Sequence, residues 1–544
     1  VRDQAKIKKM LESARAHVEQ GGVGAAEVYY RMIAKDTENP SSGIERVAHG
    51  EACVFFARKE LSKGRHGAAC DWYQRALGAD PRCAEYRVEY VLRACFPMAM
   101  WKNGRIEAER ATRIDPKSKD AWRALGGVEA ILGHVEEAIA AHDAQLALDP
   151  DDPDSRIDRA AVALDTADYA TARRMLEPVL LTGRRADALH GIAMIASREG
   201  RHEEAEDLYA QAIAGGCHDP SLARWNRSIA LQSVGRYREG WAEHEHRGIQ
   251  KTDAAMALVY NRFKRPRLDR VDGPQMRVHV HQEMGHGDVI AMARYLPLLV
   301  ERGHDVRLEV IDQMADLMRT SLRGVAIVPR ALDYPGALGV PDFDVHVPML
   351  SLPYLFGTEV DTVPWSGAYL RADPRMVETY RAMLPAGKRK VGLCWSSGIR
   401  TDGLWISEYG RRKSMPLETM SPVFERSGDC FVSLQVGPER KECREPVLDL
   451  LPRKPTWADT AALVECLDVV VTVDTSVAHL AGAMGKPVML AMHTEGSWHW
   501  MTKRLDSPWY PTARLYRQTA IHAWGEVVRR IAADLRASSV SAAA

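Results

Sequence analysis

The feature that most constrains this chain is an internal period of about 34 residues in its first half. Pro81, Pro116 and Pro150 lie 35 and 34 residues apart. Between the last two, Trp122, Leu125, Gly126 and Ala138 occupy the offsets of a helix–turn–helix unit, in which small residues let two antiparallel helices approach. Further copies are legible near Ala26–Pro40, Asp168–Leu180, Gly200–Ile213 and Trp225–Arg247. Such a unit cannot bury its apolar face alone, so successive copies must stack. An α-solenoid of six or seven units over residues 1–250 is predicted, with an irregular unit around Cys95–Pro116.

The repeat resembles the tetratricopeptide (TPR) family, which implies a superhelix whose groove holds a protein or peptide partner. A spacer or dimerisation module is the alternative. After Arg247 the pattern changes, and a basic, proline-bearing stretch at 251–274 reads as a solvated linker. From Met276 onward short β-branched runs alternate with helical stretches. Strands are expected at 277–281, 306–311 and 344–350, then at 390–395, 430–436, 468–474 and 487–492, with helices at 288–302 and 524–536. Continuous apolar strands alternating with helices mean parallel sheets covered on both faces. Two series joined through 364–388 predict two Rossmann-like domains, 275–387 and 388–544, with ligands at the carboxyl ends of the strands.

Composition enters as exclusion. The 544 residues carry 73 basic and 73 acidic side chains, and residues 1–250 hold 36 and 39 of them. Neither half has the excess charge of a nucleic-acid or polybasic membrane binder. No uncharged apolar run approaches the roughly 20 residues that span a bilayer, and a polar start argues against a signal peptide. A cytoplasmic protein is expected. The nine cysteines are scattered without paired spacing, so reduced thiols are expected and no metal.

The sharpest motif runs Val473-Asp474-Thr475-Ser476-Val477-Ala478-His479 and continues to Gly485-Lys486-Pro487. A strand ends at Asp474 and an Ala-rich helix follows, so Thr475 and Ser476 place hydroxyls and free N–H groups at a helix N-terminus, where phosphate binds readily. An ordinary N-cap reads the same way. This motif resembles the donor-phosphate motif of bacterial TPR-linked glycosyltransferases of the GT-B fold, relatives of the heptosyltransferases and more distantly of the O-linked N-acetylglucosamine transferases. Other stretches match in order: Glu283-Met284-Gly285-His286-Gly287-Asp288 with Arg294–Leu299 behind it, Val432–Gln435 with Gly437-Pro438, Asp459–Leu463, Ser507–Pro511 and Arg514–Gln518. The sequence departs from the family at Met284, where Gln is usual, and in a longer loop at Ser397–Arg412.

The resemblance implies an inverting, metal-independent transferase that moves a sugar from a nucleotide-sugar donor to a hydroxyl, without a further cofactor. Asp288 matches the family's proposed base, with His286 and Glu283 as fallbacks; an N-cap for the following helix is its plain structural role. Thr475, Ser476 and His479, helped by Lys413 or Arg411, are the expected phosphate contacts. Gln435, Asp459 and Thr460 are the expected nucleotide contacts. Trp498, Trp500 and Trp509 read as packing residues rather than sugar platforms. The layout implies Ser or Thr of a protein gripped by the TPR groove as acceptor, with flagellin as a candidate, and a uridine-diphosphate hexose or a cytidine-monophosphate nonulosonate as donor. Transfer to lipopolysaccharide or another glycan, and a non-catalytic adaptor with a nucleotide-binding scaffold, are the rival readings.

Overall fold

A computed structural model describes residues 3–248, 263–330, 342–398, 403–425 and 428–542. Residues 251–262 of the expected linker and 399–402 of the expected long loop lie outside them. The chain divides into two compact units, Val1–Val179 with Thr401–Trp405, and Leu180–Arg400 with Ile406–Ala544.

The first unit is a run of antiparallel helix pairs, from Gln4–Glu19 with Val23–Asp36 to Pro153–Asp165 with Tyr169–Leu176. The small positions do what the period requires. A Cβ on Gly126 would lie 2.5 Å from the His142 ring, and one on Gly50 would lie 2.5 Å from the Tyr86 ring. The irregular unit has a physical cause. Helix Ala84–Tyr90 continues as a π-helical turn, Val91–Cys95, in which the Phe96 N–H donates to the Val91 carbonyl at 3.0 Å. The extra residue per turn displaces the register on which the motif depends. Two surface hollows open on this unit. One of about 540 Å³ is lined by Leu77, Arg87, Tyr90 and Ile106, and one of about 390 Å³ by Tyr30, Glu51, Phe55 and Tyr86.

The second unit begins with two more pairs, Arg185–Arg198 with His202–Ala214 and Pro220–Ser233 with Tyr237–His244. The end of the period near 250 is therefore not where the packing divides, because these last pairs share a core with the α/β region. Trp509 Nε1 donates to the Tyr237 hydroxyl at 2.8 Å, and Trp241 meets Trp498 edge to face at 5.1 Å.

Two parallel sheets follow. Strands β1 (Arg277–His281), β2 (Asp305–Ile311), β3 (Val325–Arg330) and β4 (Val345–Pro348) run in the order β3-β2-β1-β4. Strands β5 (Lys390–Cys394), β6 (Cys430–Ser433), β7 (Val447–Leu448), β8 (Val469–Val473), β9 (Val488–Met492) and β10 (Ala513–Arg517) run in the order β10-β9-β8-β5-β6-β7. Every pairing is parallel, and β8 is buried throughout as a two-sided core strand must be. The fold is thus a TPR solenoid followed by a parallel-sheet α/β region of GT-B type. The periodicity does not signal β3, β7 or β10; β3 is half-exposed and β7 has two residues, so neither carries a long apolar run. The helix expected at 288–302 starts instead at His286 and is broken into His286–Met292, a 3₁₀ turn at Ala293–Tyr295, and Leu296–Glu301.

The stretch 263–274 is largely exposed but anchored at Leu268 and Val271. Leu268 is buried, its N–H donates to the His346 carbonyl at 2.8 Å, and the His346 N–H donates to the Pro266 carbonyl at 3.1 Å. It lies along β4 as a strap. Arg267 donates to Glu245 at 2.8 Å, and the fully buried Arg247 forks onto Glu283 at 2.9 and 2.7 Å. The last helical pair is thereby tied to the loop after β1. Among the described residues no helix is long and apolar enough to cross a membrane.

Breaking one half of a buried ion pair leaves a bare charge. Arg247→Met should therefore lower stability by about 3–5 kcal/mol, and Glu283→Gln in that background should restore part of the loss. Chemical denaturation followed by tryptophan emission, to which the buried Trp241, Trp498 and Trp509 contribute, checks both.

Candidate active site

Two strand ends in the second unit bring the site together. After β1, Gln282 and Glu283 anchor the turn. The Gln282 side-chain oxygen accepts the Ile311 N–H at 2.9 Å, and Glu283 accepts the Leu350 N–H at 2.8 Å besides pairing with Arg247. Met284 is then forced to a φ of 56°, a left-handed conformation that costs a residue bearing a Cβ about 1–2 kcal/mol. Such local strain persists only where the surroundings over-determine it. Gly285 caps the helix, and Asp288, its third residue, reaches back so that Oδ2 accepts the Gly285 N–H at 3.0 Å. Asp288 is therefore not the N-cap itself. Its Oδ1 faces the imidazole of His499 at 3.8 Å. About a quarter of the side chain remains open, 26%. Burial pushes its carboxyl up to about 6; Glu283 and Asp474 add to the rise, while the Gly285 N–H and Lys413 oppose it.

After β8, Asp474 is buried and its Oδ1 accepts the Trp500 indole N–H at 2.8 Å. Burial alone would raise this carboxyl, yet His493, Lys413 and His479 together hold it well below the usual carboxylate range. Thr475 is the N-cap of helix Ser476–Ala483, its hydroxyl oxygen accepting the Val477 N–H at 3.2 Å. Its hydroxyl also meets that of Thr472 at 3.1 Å. Ser476 is half-buried at the first helical position. His479 is buried, with Nδ1 3.0 Å from the Tyr510 hydroxyl, and burial pushes its pKa down to about 4, so it is neutral at pH 7. It packs on the other loop: a Cβ on Gly287 would lie 2.7 Å from the His479 ring.

Lys413 is half-buried, its ammonium 5.0 Å from the centre of the Tyr409 ring, where it lowers the carboxyls of both Asp288 and Asp474. Arg411 is exposed and paired with Glu408 on its own helix. The structure therefore places Lys413, and not Arg411, among the site's charges. His286 is half-buried beside the Trp457 ring at 5.5 Å, and burial keeps its imidazole below the usual range.

Four expected site residues are engaged elsewhere. Glu283 has both oxygens engaged by Arg247 and a backbone amide, and its side chain is fully buried, so no acceptor can reach it. Gln435 is buried and works as a backbone clamp. Its oxygen accepts the Trp395 and Ser396 N–H groups at 3.1 and 2.9 Å, and its amide donates to the Ser396 and Val436 carbonyls. Asp459 closes a capping box with Thr456 at 2.9 Å and accepts the Tyr380 hydroxyl at 3.1 Å, while Thr460 donates to the Thr456 carbonyl. Residue type at a strand end is visible in sequence; the partners that already occupy it are not.

The structure adds residues that sequence reasoning missed. Arg412, buried, pairs with Glu495 at 3.1 Å. Arg294, also buried, lies over the Tyr369, Trp509 and Tyr510 rings at 4.8–5.0 Å and donates to the Trp509 carbonyl at 2.9 Å, joining the first half of the α/β region to the second. His499 stacks on Trp498 with centroids 3.5 Å apart. The only signal for His499 was the aromatic density of Trp498-His499-Trp500. The three tryptophans 498, 500 and 509 are buried, as packing residues should be. Among the described residues no group of three or more His, Cys, Asp or Glu is arranged to hold a metal ion.

Comparison with known proteins agrees with this architecture. Residues 437–504 match the model of glycosyltransferase family 9 (heptosyltransferase), and residues 105–153 and 157–220 match the tetratricopeptide repeat. The chain thus combines tetratricopeptide repeats with a glycosyltransferase family 9 region, the organisation of a bacterial TPR-containing glycosyltransferase. It is 26% identical over 459 residues to Protein FlbA of Caulobacter vibrioides, covering 78% of this chain and 68% of that protein. Among solved structures, PilF of Pseudomonas aeruginosa aligns over 38% of this chain and 91% of its own, with 17% identity and a TM-score of 0.32. A tetratricopeptide repeat protein from Parabacteroides merdae aligns over 44% and 90%, with 12% identity and a TM-score of 0.38.

Because a Cβ at position 287 collides with the His479 ring, Gly287→Ala should force the two loops apart. A loss of about 1–3 kcal/mol is expected from such overpacking, read as a lower midpoint of thermal unfolding with little change in far-ultraviolet circular dichroism.

Proposed function

We propose that this protein transfers a sugar from a nucleotide-sugar donor to a hydroxyl of a protein, with inversion at the anomeric carbon and Asp288 as the base. The observation that carries the reading is Asp288 itself: a part-open carboxylate with a pKa lifted to about 6, in the first turn of a helix that follows a strained loop, opposite a second helix N-terminus. A base tuned toward neutrality is ionised at working pH and still basic enough to take the acceptor proton. Its Oδ2 is held by the Gly285 N–H, which leaves Oδ1 for the acceptor.

In this reading the acceptor oxygen attacks the anomeric carbon and its proton passes to Asp288. The bond to the donor phosphate breaks with its electron pair on the phosphate oxygen. The charge developing there meets the first-turn N–H groups of helix Ser476–Ala483, the Ser476 hydroxyl and the Lys413 ammonium. Thr475 serves the same end indirectly by capping that helix. His479, neutral and buried, packs against Gly287 and so spaces the two loops. These groups supply the positive charge without a divalent ion. The repeats favour a protein acceptor, with Ser or Thr of flagellin as the candidate and a cytoplasmic setting. Both donor classes, a uridine-diphosphate hexose and a cytidine-monophosphate nonulosonate, are kept open.

Calorimetry against a panel of nucleotides and nucleotide sugars, followed by mass spectrometry of flagellin and other acceptors, tests the proposal. Asp288→Asn should cut transfer by about 10²–10⁴-fold, the range for a general base, while leaving donor binding intact. Full transfer by that variant would remove Asp288 from the role, and failure to bind any nucleotide would sink the enzyme reading. For the native chain, kcat/KM should rise with pH and level off above about 6, because the carboxylate is the active form. Chelator should leave the rate unchanged. Removing residues 1–179, the first compact unit, should spare donor binding and abolish protein modification.

A further inference from the structure

Asp288 and His499 face each other without a hydrogen bond. His499 Nε2 stands 3.8 Å from Asp288 Oδ1 and is buried with no hydrogen-bond partner. Its other ring nitrogen, Nδ1, lies 2.8 Å from the Ser497 hydroxyl. The ring is held in place by stacking on Trp498 at 3.5 Å and by the edge of His479 at 4.6 Å, so the part-open Asp288 side chain is the partner that can close the gap.

A neutral imidazole has one N–H and one lone pair. A buried N–H aimed at a carboxylate would close to a charge-assisted hydrogen bond of about 2.7–2.9 Å. Two acceptors facing each other stand apart instead, and 3.8 Å is such a separation. The tautomer that fits this separation carries its proton on Nδ1, donated to Ser497, with the Nε2 lone pair toward Asp288. An imidazolium is disfavoured by the surroundings: burial, reinforced by His479 and the Arg294 and His244 side chains, holds His499 well below its usual range, with Asp474 only partly offsetting them.

We propose that His499 is a positioning residue acting through Asp288, its Nε2 lone pair set to accept the hydrogen bond of the Asp288 carboxyl group once that group has gained a proton. The inference rests on the glycosyl-transfer reading only for where the proton comes from. The acceptor O–H bond breaks, its electron pair forms the bond to the anomeric carbon, and the proton arrives at Oδ1. The resulting carboxylic acid then donates to Nε2, so no proton is transferred to the ring and none is lost until Asp288 returns its own to solvent. His499 thereby favours the protonated form and makes Asp288 a stronger base. The other charged groups that act on Asp288 are Glu283, Lys413 and Asp474.

Nitrogen-15 spectra of the full chain with labelled histidine test the pairing without turnover, the His499 signals being assigned by their loss in His499→Gln. Nε2 should carry no proton and should shift as Asp288 titrates near pH 6, and that movement should vanish in Asp288→Asn. A protonated Nε2, or a signal indifferent to the Asp288 titration, would overturn the proposal whether or not transfer is ever observed. In turnover, His499→Phe should move the acid limb of kcat/KM down by about one pH unit and lower kcat about tenfold at an unchanged donor KM. His499→Gln, whose amide oxygen can accept, should recover part of this. An upward shift of the limb, or a change confined to KM, would rule out action through Asp288.

Discussion

The buried pairing of Arg247 with Glu283 is the contact on which the site depends. Glu283 sits five residues before Asp288, and with both its oxygens engaged the chain after β1 has no freedom to relax. That constraint holds Met284 at a positive φ and starts the helix at His286, which in turn sets Asp288 on the first turn. The partner guanidinium belongs to the end of the last helical repeat. The repeat array therefore contributes to the geometry of the site as well as offering a surface, and the last two helical pairs belong by packing to the α/β region.

Arg294 completes the frame from the other side. A buried cation usually demands a carboxylate; this one is satisfied by carbonyl oxygens and three aromatic faces drawn from both sheets' surroundings. Rings and carbonyls fix position without adding negative charge. That matters in a site holding Asp288 and Asp474, where another carboxylate would raise both pKa values. The two aspartates diverge because their neighbours differ. Asp288 is dominated by burial, whereas at Asp474 the combined pull of His493, Lys413 and His479 outweighs it. One group is left basic and the other permanently charged.

Most of the architecture was legible. The 34-residue period, the apolar runs of β1, β2, β4, β5, β6, β8 and β9, and the order of the motifs follow from local patterns that any chain of this kind must show. The short edge strand β7, the half-exposed β3 and β10, whose apolar residues are interrupted by Arg514 and Arg517, were not, because none carries a long apolar run. At the candidate site, Asp288 and Ser476 stand out in the sequence because a glycine loop and a helix N-terminus leave a local signature, whereas the basic run at 411–413 does not by itself separate Lys413 from Arg411. Glu283, Gln435 and Asp459 look equally functional in sequence, and each is consumed by partners distant along the chain: Arg247, the backbone at 395–396, and Tyr380.

By itself, then, the sequence determined the repeat solenoid, the two parallel sheets and the strand ends where chemistry belongs, because periodicity and capping are properties of neighbouring residues. The tertiary structure alone decided which polar groups remain available. Hydrogen-bond capacity is finite, and only the folded chain shows that Glu283 and Gln435 have spent theirs, while the imidazole of His499, 211 residues after Asp288 in the chain, faces that carboxylate with a nitrogen still unpaired.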